Sequence, residues 1–199
     1  CLCGSRVLVE DSIYEEFRDR FVDAVEAMRV GDPSDEATDL GALISGQHLE
    51  KVQGYVELAK EEGGNLLTGG TPCLPAEFEH GNWMVPTVIE GLSPDSRCST
   101  EEIFGPVVTL HSFSHEDEAV TIANNTRYGL AGSVWTGDLE RGKRVSEAIE
   151  TGMVWVNTWL HRDLRVPFGG VKDSGVGREG GKWSLGFFSE AMNVCVKHD

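Results

Sequence analysis

Lysine is scarce in this sequence. It supplies 6 of the 17 basic residues, Arg supplies the other 11, and 33 acidic residues outnumber both together. The formal charge is -16 and the isoelectric point about 4.7. Phosphate contact needs concentrated Lys and Arg, so this balance argues against nucleic acid as a partner. A long apolar run is also missing. No stretch could span a bilayer and no basic-then-apolar leader is visible, so no membrane association is expected. Cysteine pairing is the third absence. Cys1, Cys3, Cys73, Cys98 and Cys195 are odd in number and irregularly spaced. That argues against a secreted disulfide framework and makes a reducing cytoplasm the expected location. Cys1-x-Cys3 has no second Cys or His pair at zinc-ligand spacing, so no metal site is expected.

What remains is a well-composed globular chain. Its 199 residues are 40% hydrophobic and 25% charged, enough to bury a sizeable core. The acids are spread along the sequence. They read as a solvated surface, or as an adaptation to a high-salt cytoplasm where screening relieves self-repulsion. The chain opens on Cys1 and runs at once into Val7-Leu8-Val9. That opening predicts a segment of something longer, beginning at a reactive thiol.

Strand and helix patterns alternate. Residues 5–10 read as a strand. Ser12 with Glu15 forms a capping-box pattern for a helix with Ile13, Phe17, Phe21, Ala24, Val25 and Met28 on one face. Gly31-Asp32-Pro33 breaks it. A second helix is predicted from Ser45, with Leu49, Val52, Val56 and Ala59 on one face and a stop at Gly63-Gly64. Residues 65–82 read as a short strand and a loop, and 107–113 as a strand after Pro106. A helix follows Ser114, then a strand over 130–135, a helix over 138–150 and an apolar strand over 152–156. Dense Gly from Gly169 to Gly186 suggests loops, and 191–197 reads as a terminal strand. The fold class is therefore α/β, a mostly parallel sheet with helices on both faces.

Three segments carry chemistry. They are Cys1-Leu2-Cys3-Gly4-Ser5-Arg6, Thr100-Glu101-Glu102-Ile103-Phe104-Gly105-Pro106-Val107, and Pro167-Phe168-Gly169-Gly170-Val171-Lys172-x-Ser174-Gly175-x-Gly177-Arg178-Glu179-Gly180. In this order and spacing they resemble the NAD(P)-dependent aldehyde dehydrogenase superfamily, over the whole chain. The resemblance implies a catalytic domain over 1–190 and an oligomerisation strand over 191–199 that joins a neighbouring subunit's sheet. A homodimer or homotetramer is then expected. It also implies that a nucleotide-binding domain, a glutamate general base and an oxyanion-hole asparagine lie outside this chain, so the chain alone should be inactive.

By the same resemblance Cys1 is the nucleophile and Cys3 is not. A thiolate adds to an aldehyde and later leaves, which suits that role. The backbone N–H of Cys1 would be an oxyanion donor. Taken alone, Cys1 reads more readily as a buried inert thiol, which is common for free Cys. Glu102 would accept hydrogen bonds from the ribose hydroxyls of NAD or NADP, and Phe104 would support the nicotinamide side. His48 and Lys51, on the second helix, are expected to be surface residues. Phe168 would stand beside the substrate entrance. The third segment lacks the Lys-Ser/Thr pairing of a P-loop, so a phosphate cradle is rejected.

Val156-Asn157-Thr158-Trp159-Leu160-His161-Arg162-Asp163-Leu164-Arg165 resembles a subgroup acting on 2-aminomuconate and 2-hydroxymuconate semialdehydes. These small-molecule aldehydes carry a distal carboxylate, and Arg162 matches the position that would clamp it. Alternatively, Arg162 pairs with Asp163 or another acid. Arg165 could share the clamp, and His161 has no assigned duty. Two other classes stay open: a cysteine acyltransferase working without NAD, and a non-catalytic module that associates through its last strand.

Overall fold

The computed structural model describes residues 2–199; the expected nucleophile, Cys1, lies outside them. The chain divides into two compact units, one covering Cys3–Thr126 and the other Arg127–Asp199.

In the first unit β1 is Arg6–Glu10, followed by a 3-10 turn at Asp11–Ile13 and by α1 at Tyr14–Glu26. Then come α2 (Gly46–Glu61), β2 (Asn65–Thr68), β3 (Pro72–Cys73), β4 (Trp83–Met84), β5 (Thr87–Glu90), α3 (Arg97–Thr100), β6 (Val107–Phe113) and α4 (Glu116–Asn124). Four strands form one sheet in the order β1-β6-β5-β2. β6 is parallel to both its neighbours, with Arg6 opposite Thr109 and Leu8 opposite His111. β2 is antiparallel to β5, so the sheet is mixed rather than wholly parallel. β3 and β4 make a separate antiparallel pair.

The second helix forms as its pattern predicts. Ser45 is extended (ψ 162°) and its side chain accepts from the His48 N–H at 3.1 Å. Val52, Val56 and Ala59 fall on one face and are fully buried. They meet Met84, Ile89, Leu92, Cys98, Ile103 and Val107 in the core. Each buried Val contributes about 1.5–3 kcal/mol. The helix ends before Gly63, whose φ of +88° stops it. The capping box expected at Ser12 is absent. Ser12 lies inside the 3-10 turn, and α1 starts at Tyr14 with no side-chain cap. A cap needs extended backbone, which the turn removes. Phe17 and Phe21 stack at 5.6 Å but are only half-buried.

The second unit contains β7 (Tyr128–Gly129), β8 (Ala131–Val134), α5 (Leu139–Ala148), β9 (Met153–Val156), β10 (Val171–Lys172) and α6 (Gly181–Phe188). β8 and β9 are parallel and joined through α5, the expected strand–helix–strand crossover. Asp138 caps α5 by accepting from Glu140 N–H at 2.9 Å and Arg141 N–H at 3.2 Å. β7 and β10 pair antiparallel. α6 falls where the glycine density predicted only loops. Residues 191–199 form no strand within this chain, and Met192, Val194 and Val196 are exposed.

Candidate active site

The Glu101–Pro106 segment is held from below by α2 and α3. α3 is a single turn, and its N-terminal end is tied. Ser96 caps it by accepting from Ser99 N–H at 3.2 Å. The Glu62 carboxylate accepts from Arg97 N–H at 3.0 Å and Cys98 N–H at 3.2 Å. Burial alone would raise the Glu62 carboxyl, but these backbone donors outweigh it and hold it below its usual range. The Cys98 thiol is pushed up to about 12, by burial first and then by Glu62, so it is an inert core thiol.

Glu101 is fully engaged. Tyr55 Oη donates to it at 2.7 Å, and the Arg97 guanidinium grips both oxygens at 2.9 and 3.1 Å. Glu102 differs: it is exposed, and its carboxylate has no hydrogen-bond or ion-pair partner among the described residues. The next residue, Ile103, is buried at 6% exposure and anchors the segment in the core. Phe104 is exposed and adopts a left-handed φ of +58°. That conformation costs a non-glycine residue on the order of 1 kcal/mol and needs local support.

α2 supplies the support. His48 Nε2 donates to the Phe104 carbonyl at 2.6 Å, with the two rings edge to face at 6.0 Å. Lys51 Nζ donates to the Glu102 carbonyl at 3.0 Å. A Cβ on Gly105 would stand 2.6 Å from Val52 Cγ2, so only glycine lets the segment press this close to α2. His48 and Lys51, expected to be surface residues, are thus the fasteners of the motif. Their spacing with Tyr55, three and four residues apart, marks one face of a helix and was the available signal.

In the second unit Arg162 lies over Phe168, its Cζ 4.2 Å from the ring centre. Arg162 is exposed and makes no ion pair among the described residues. Asp163, its expected competitor, is taken by Arg165. That guanidinium reaches Asp163 through Nε at 2.8 and 3.0 Å, and its own backbone N–H adds a bond at 2.9 Å. These bonds hold the Asp163 carboxyl below its usual range. Arg165 is thus ion-paired with Asp163 in this structure. Phe168 is fixed by two backbone bonds to Glu179, each 2.8 Å. Upstream, Trp155 Nε1 donates to the His161 carbonyl at 2.9 Å and Trp155 meets Trp159 edge to face at 5.0 Å. The Gly-rich segment is laced internally, with Arg178 donating to the Gly170 and Gly177 carbonyls.

Among the described residues no three His, Cys, Asp or Glu side chains gather to hold a metal. No helix among them is long and apolar enough to cross a membrane.

Residues 1–194 match the aldehyde dehydrogenase family, and the chain belongs to it. It is 49% identical over 201 residues to 2-aminomuconic semialdehyde dehydrogenase of Mus musculus, covering all of this chain and 41% of that protein. It is 46% identical over 198 residues to 2-hydroxymuconic semialdehyde dehydrogenase of Pseudomonas putida, covering 99% of this chain and 41% of that one. Among solved structures, betaine aldehyde dehydrogenase from Staphylococcus aureus in complex with NAD+ superposes with a TM-score of 0.91 at 38% identity, covering 94% of this chain and 37% of that one. The chain spans 41% of the length of the curated relatives it matches.

Proposed function

We propose that the whole protein oxidises a semialdehyde bearing a distal carboxylate to the corresponding acid, with NAD or NADP as hydride acceptor. Family membership and the names of the semialdehyde dehydrogenase relatives support the class of reaction. The observation that carries the substrate reading is Arg162, a guanidinium over the Phe168 ring with no acid paired to it among the described residues. A planar fork held this way suits bidentate capture of a carboxylate.

In this reading Cys1 supplies the thiolate. It adds to the aldehyde carbon and forms a C–S bond, and the carbonyl oxygen takes the negative charge of a thiohemiacetal. The backbone N–H of Cys1 donates to that oxygen. Loss of hydride from the same carbon leaves a thioester. Water then breaks the C–S bond, releasing the acid and the thiol. NAD or NADP supplies the acceptor of that hydride when bound.

The chain's own residues fit such a cofactor. The carboxylate of Glu102, unpaired among the described residues, can accept from two vicinal hydroxyls, and Phe104 offers an exposed ring two residues on. Lys51 and His48 keep both at a fixed height above α2. In the whole protein, residues 191–197 complete a neighbouring subunit's sheet in a homodimer or homotetramer. Free thiols at Cys3, Cys73, Cys98 and Cys195 accord with a reducing cytoplasm.

The test is steady-state and pre-steady-state kinetics on the full-length enzyme with a panel of carboxylated and neutral aldehydes. Cys1→Ser should lose several orders of magnitude in turnover, and Cys3→Ser should keep most of it. Glu102→Gln should slow the appearance of NADH absorbance while sparing thiohemiacetal formation. Equal loss in both Cys variants would overturn the nucleophile assignment. Slowed thioester hydrolysis with normal hydride transfer would move Glu102 out of the cofactor site.

A further inference from the structure

His111 is a buried ring among polar groups, with the Thr109 and Ser99 hydroxyls and the Arg6 guanidinium nearby. It sits on β6 beside Leu8 of β1, with 5% of its surface exposed. Burying an imidazole there is costly unless its nitrogens are bonded. Nε2 lies 3.0 Å from Thr109 Oγ1 and 3.4 Å from Ser99 Oγ. These two hydroxyls lead in different directions.

Thr109 leads toward the nucleophile segment. Its N–H donates to the Ser5 carbonyl at 3.0 Å, and its Oγ1 reaches the same oxygen at 3.4 Å. Ser5 follows Cys1 by four residues. Ser99 leads toward the cofactor segment. Its Oγ accepts from Ser96 Oγ at 2.8 Å, and Ser96 caps α3, which runs directly into Glu101 and Glu102. The ring therefore stands where two hydrogen-bonded paths meet, and both paths lie within the first unit. Burial and then the nearby Arg6 guanidinium lower its pKa to about 4, so it is neutral at working pH and does not change its bonding across that range.

We propose that His111 is a positioning residue that holds the segment following Cys1 and the segment presenting Glu102 in a single register. The proposal rests on the assignment of Cys1 as nucleophile and Glu102 as cofactor ligand. An apolar residue of similar size would fill the core equally well; it would leave the Thr109 and Ser99 hydroxyls without a common partner. Networks of this kind specify one arrangement when every member is satisfied.

The experiment uses three variants of the full-length enzyme and two readouts. Thr109→Val removes the hydroxyl that links His111 to the Ser5 carbonyl and keeps the Thr109 N–H bond to that oxygen, Ser99→Ala removes the hydroxyl that links the ring to α3, and His111→Leu removes the ring from both. The first readout is the rate at which iodoacetamide alkylates Cys1, followed at that residue by mass spectrometry. The second is the dissociation constant for NAD. Thr109→Val should change the alkylation rate by about three- to tenfold and leave NAD binding nearly unaltered, the size expected for one hydrogen bond. Ser99→Ala should do the reverse, and His111→Leu should do both.

A folded His111→Leu enzyme with wild-type values for both readouts would overturn the proposal. If His111→Leu fails to fold, the other two variants decide: the two opposite responses support it, and identical responses overturn it. Cys1→Ser and Glu102→Gln serve as controls. If Cys1→Ser still turns over, or Glu102→Gln binds NAD normally, the underlying functional reading has failed whatever His111 does. If both controls lose function and the Thr109 and Ser99 responses do not separate, only the positioning role has failed.

Discussion

The guanidinium carbon of Arg162 lies 4.2 Å from the centre of the Phe168 ring, while three residues on Arg165 is locked to Asp163. Two nearby arginines thus have opposite states. Arg165 is ion-paired with a neighbour, and Arg162 makes no ion pair among the described residues. The stacking contact contributes about 0.5–1 kcal/mol at an exposed site. Its larger effect is positional, because a guanidinium held over a ring still has N–H donors for a planar anion. At -16 the chain repels anions at long range, so a substrate carboxylate needs a local cation to hold it.

Arg162→Ala should therefore lower kcat/KM for carboxylated semialdehydes by roughly tenfold to a hundredfold, the cost of one charged hydrogen-bond partner. A neutral aldehyde of similar length should be little affected. Arg162→Lys should recover only part, since it keeps charge and loses the fork. Arg165→Ala should leave the discrimination between the two aldehydes unchanged. Equal losses for neutral and carboxylated substrates with Arg162→Ala would make the residue structural.

His48→Ala should raise the cofactor KM several-fold with a smaller effect on kcat. The substitution frees the Phe104 carbonyl, and the left-handed φ of +58° loses its tether. His48→Gln, which keeps a donor, should restore much of the loss. A titration of initial rate against NAD checks this, and an unchanged cofactor KM in His48→Ala would show that Lys51, Ile103 and Gly105 suffice to hold the segment.

These two sites were legible in the sequence to different degrees. Ser45 and Gly63 punctuate α2, and Pro106 precedes β6, so local chemistry marks those elements. The Glu102 and Phe104 motif was visible as a motif. The role of His48 was not, because its partner is 56 residues away and only the packing of Gly105 on Val52 brings them together. β5 escaped notice because Thr87–Glu90 is a short strand, buried from Thr87 to Ile89, with no alternation to read. α6 was hidden by Gly181 and Gly186, which lower helix propensity without forbidding the helix. At Arg162 the residue type was legible, whereas the choice between Arg162 and Arg165 depended on which of them reached Asp163.

His111 should make stability depend on pH. Its pKa is about 4 in the folded chain against 6.5 ordinarily, so the unfolded chain takes up the proton first as pH falls. Its neutral form is fully compatible with folding above about pH 6.5. Between pH 6.5 and pH 4 the linkage destabilises the fold progressively, by about 2 kcal/mol at pH 5. Urea unfolding of the full-length enzyme at pH 7 and pH 5 should show this difference. His111→Leu should reduce it by most of that amount, and an identical pH difference in both proteins would show that the ring titrates normally in the folded state.

Residues 191–197 should drive assembly. Met192, Val194 and Val196 alternate along a segment that forms no strand within its own chain, and all three are exposed. Exposed alternating apolar residues with unpaired backbone groups suit pairing with a sheet edge elsewhere. In the full-length protein, deleting residues 190–199 should convert the oligomer to monomers or aggregates, read by light scattering coupled to size exclusion. Replacing Val194 and Val196 by Asp should give the same outcome with chain length preserved, since pairing the segment with a sheet would then desolvate a charge at each position without a partner. An oligomer that survives both changes would place its interface elsewhere on the molecule, and the apolar alternation of this segment would then need another partner.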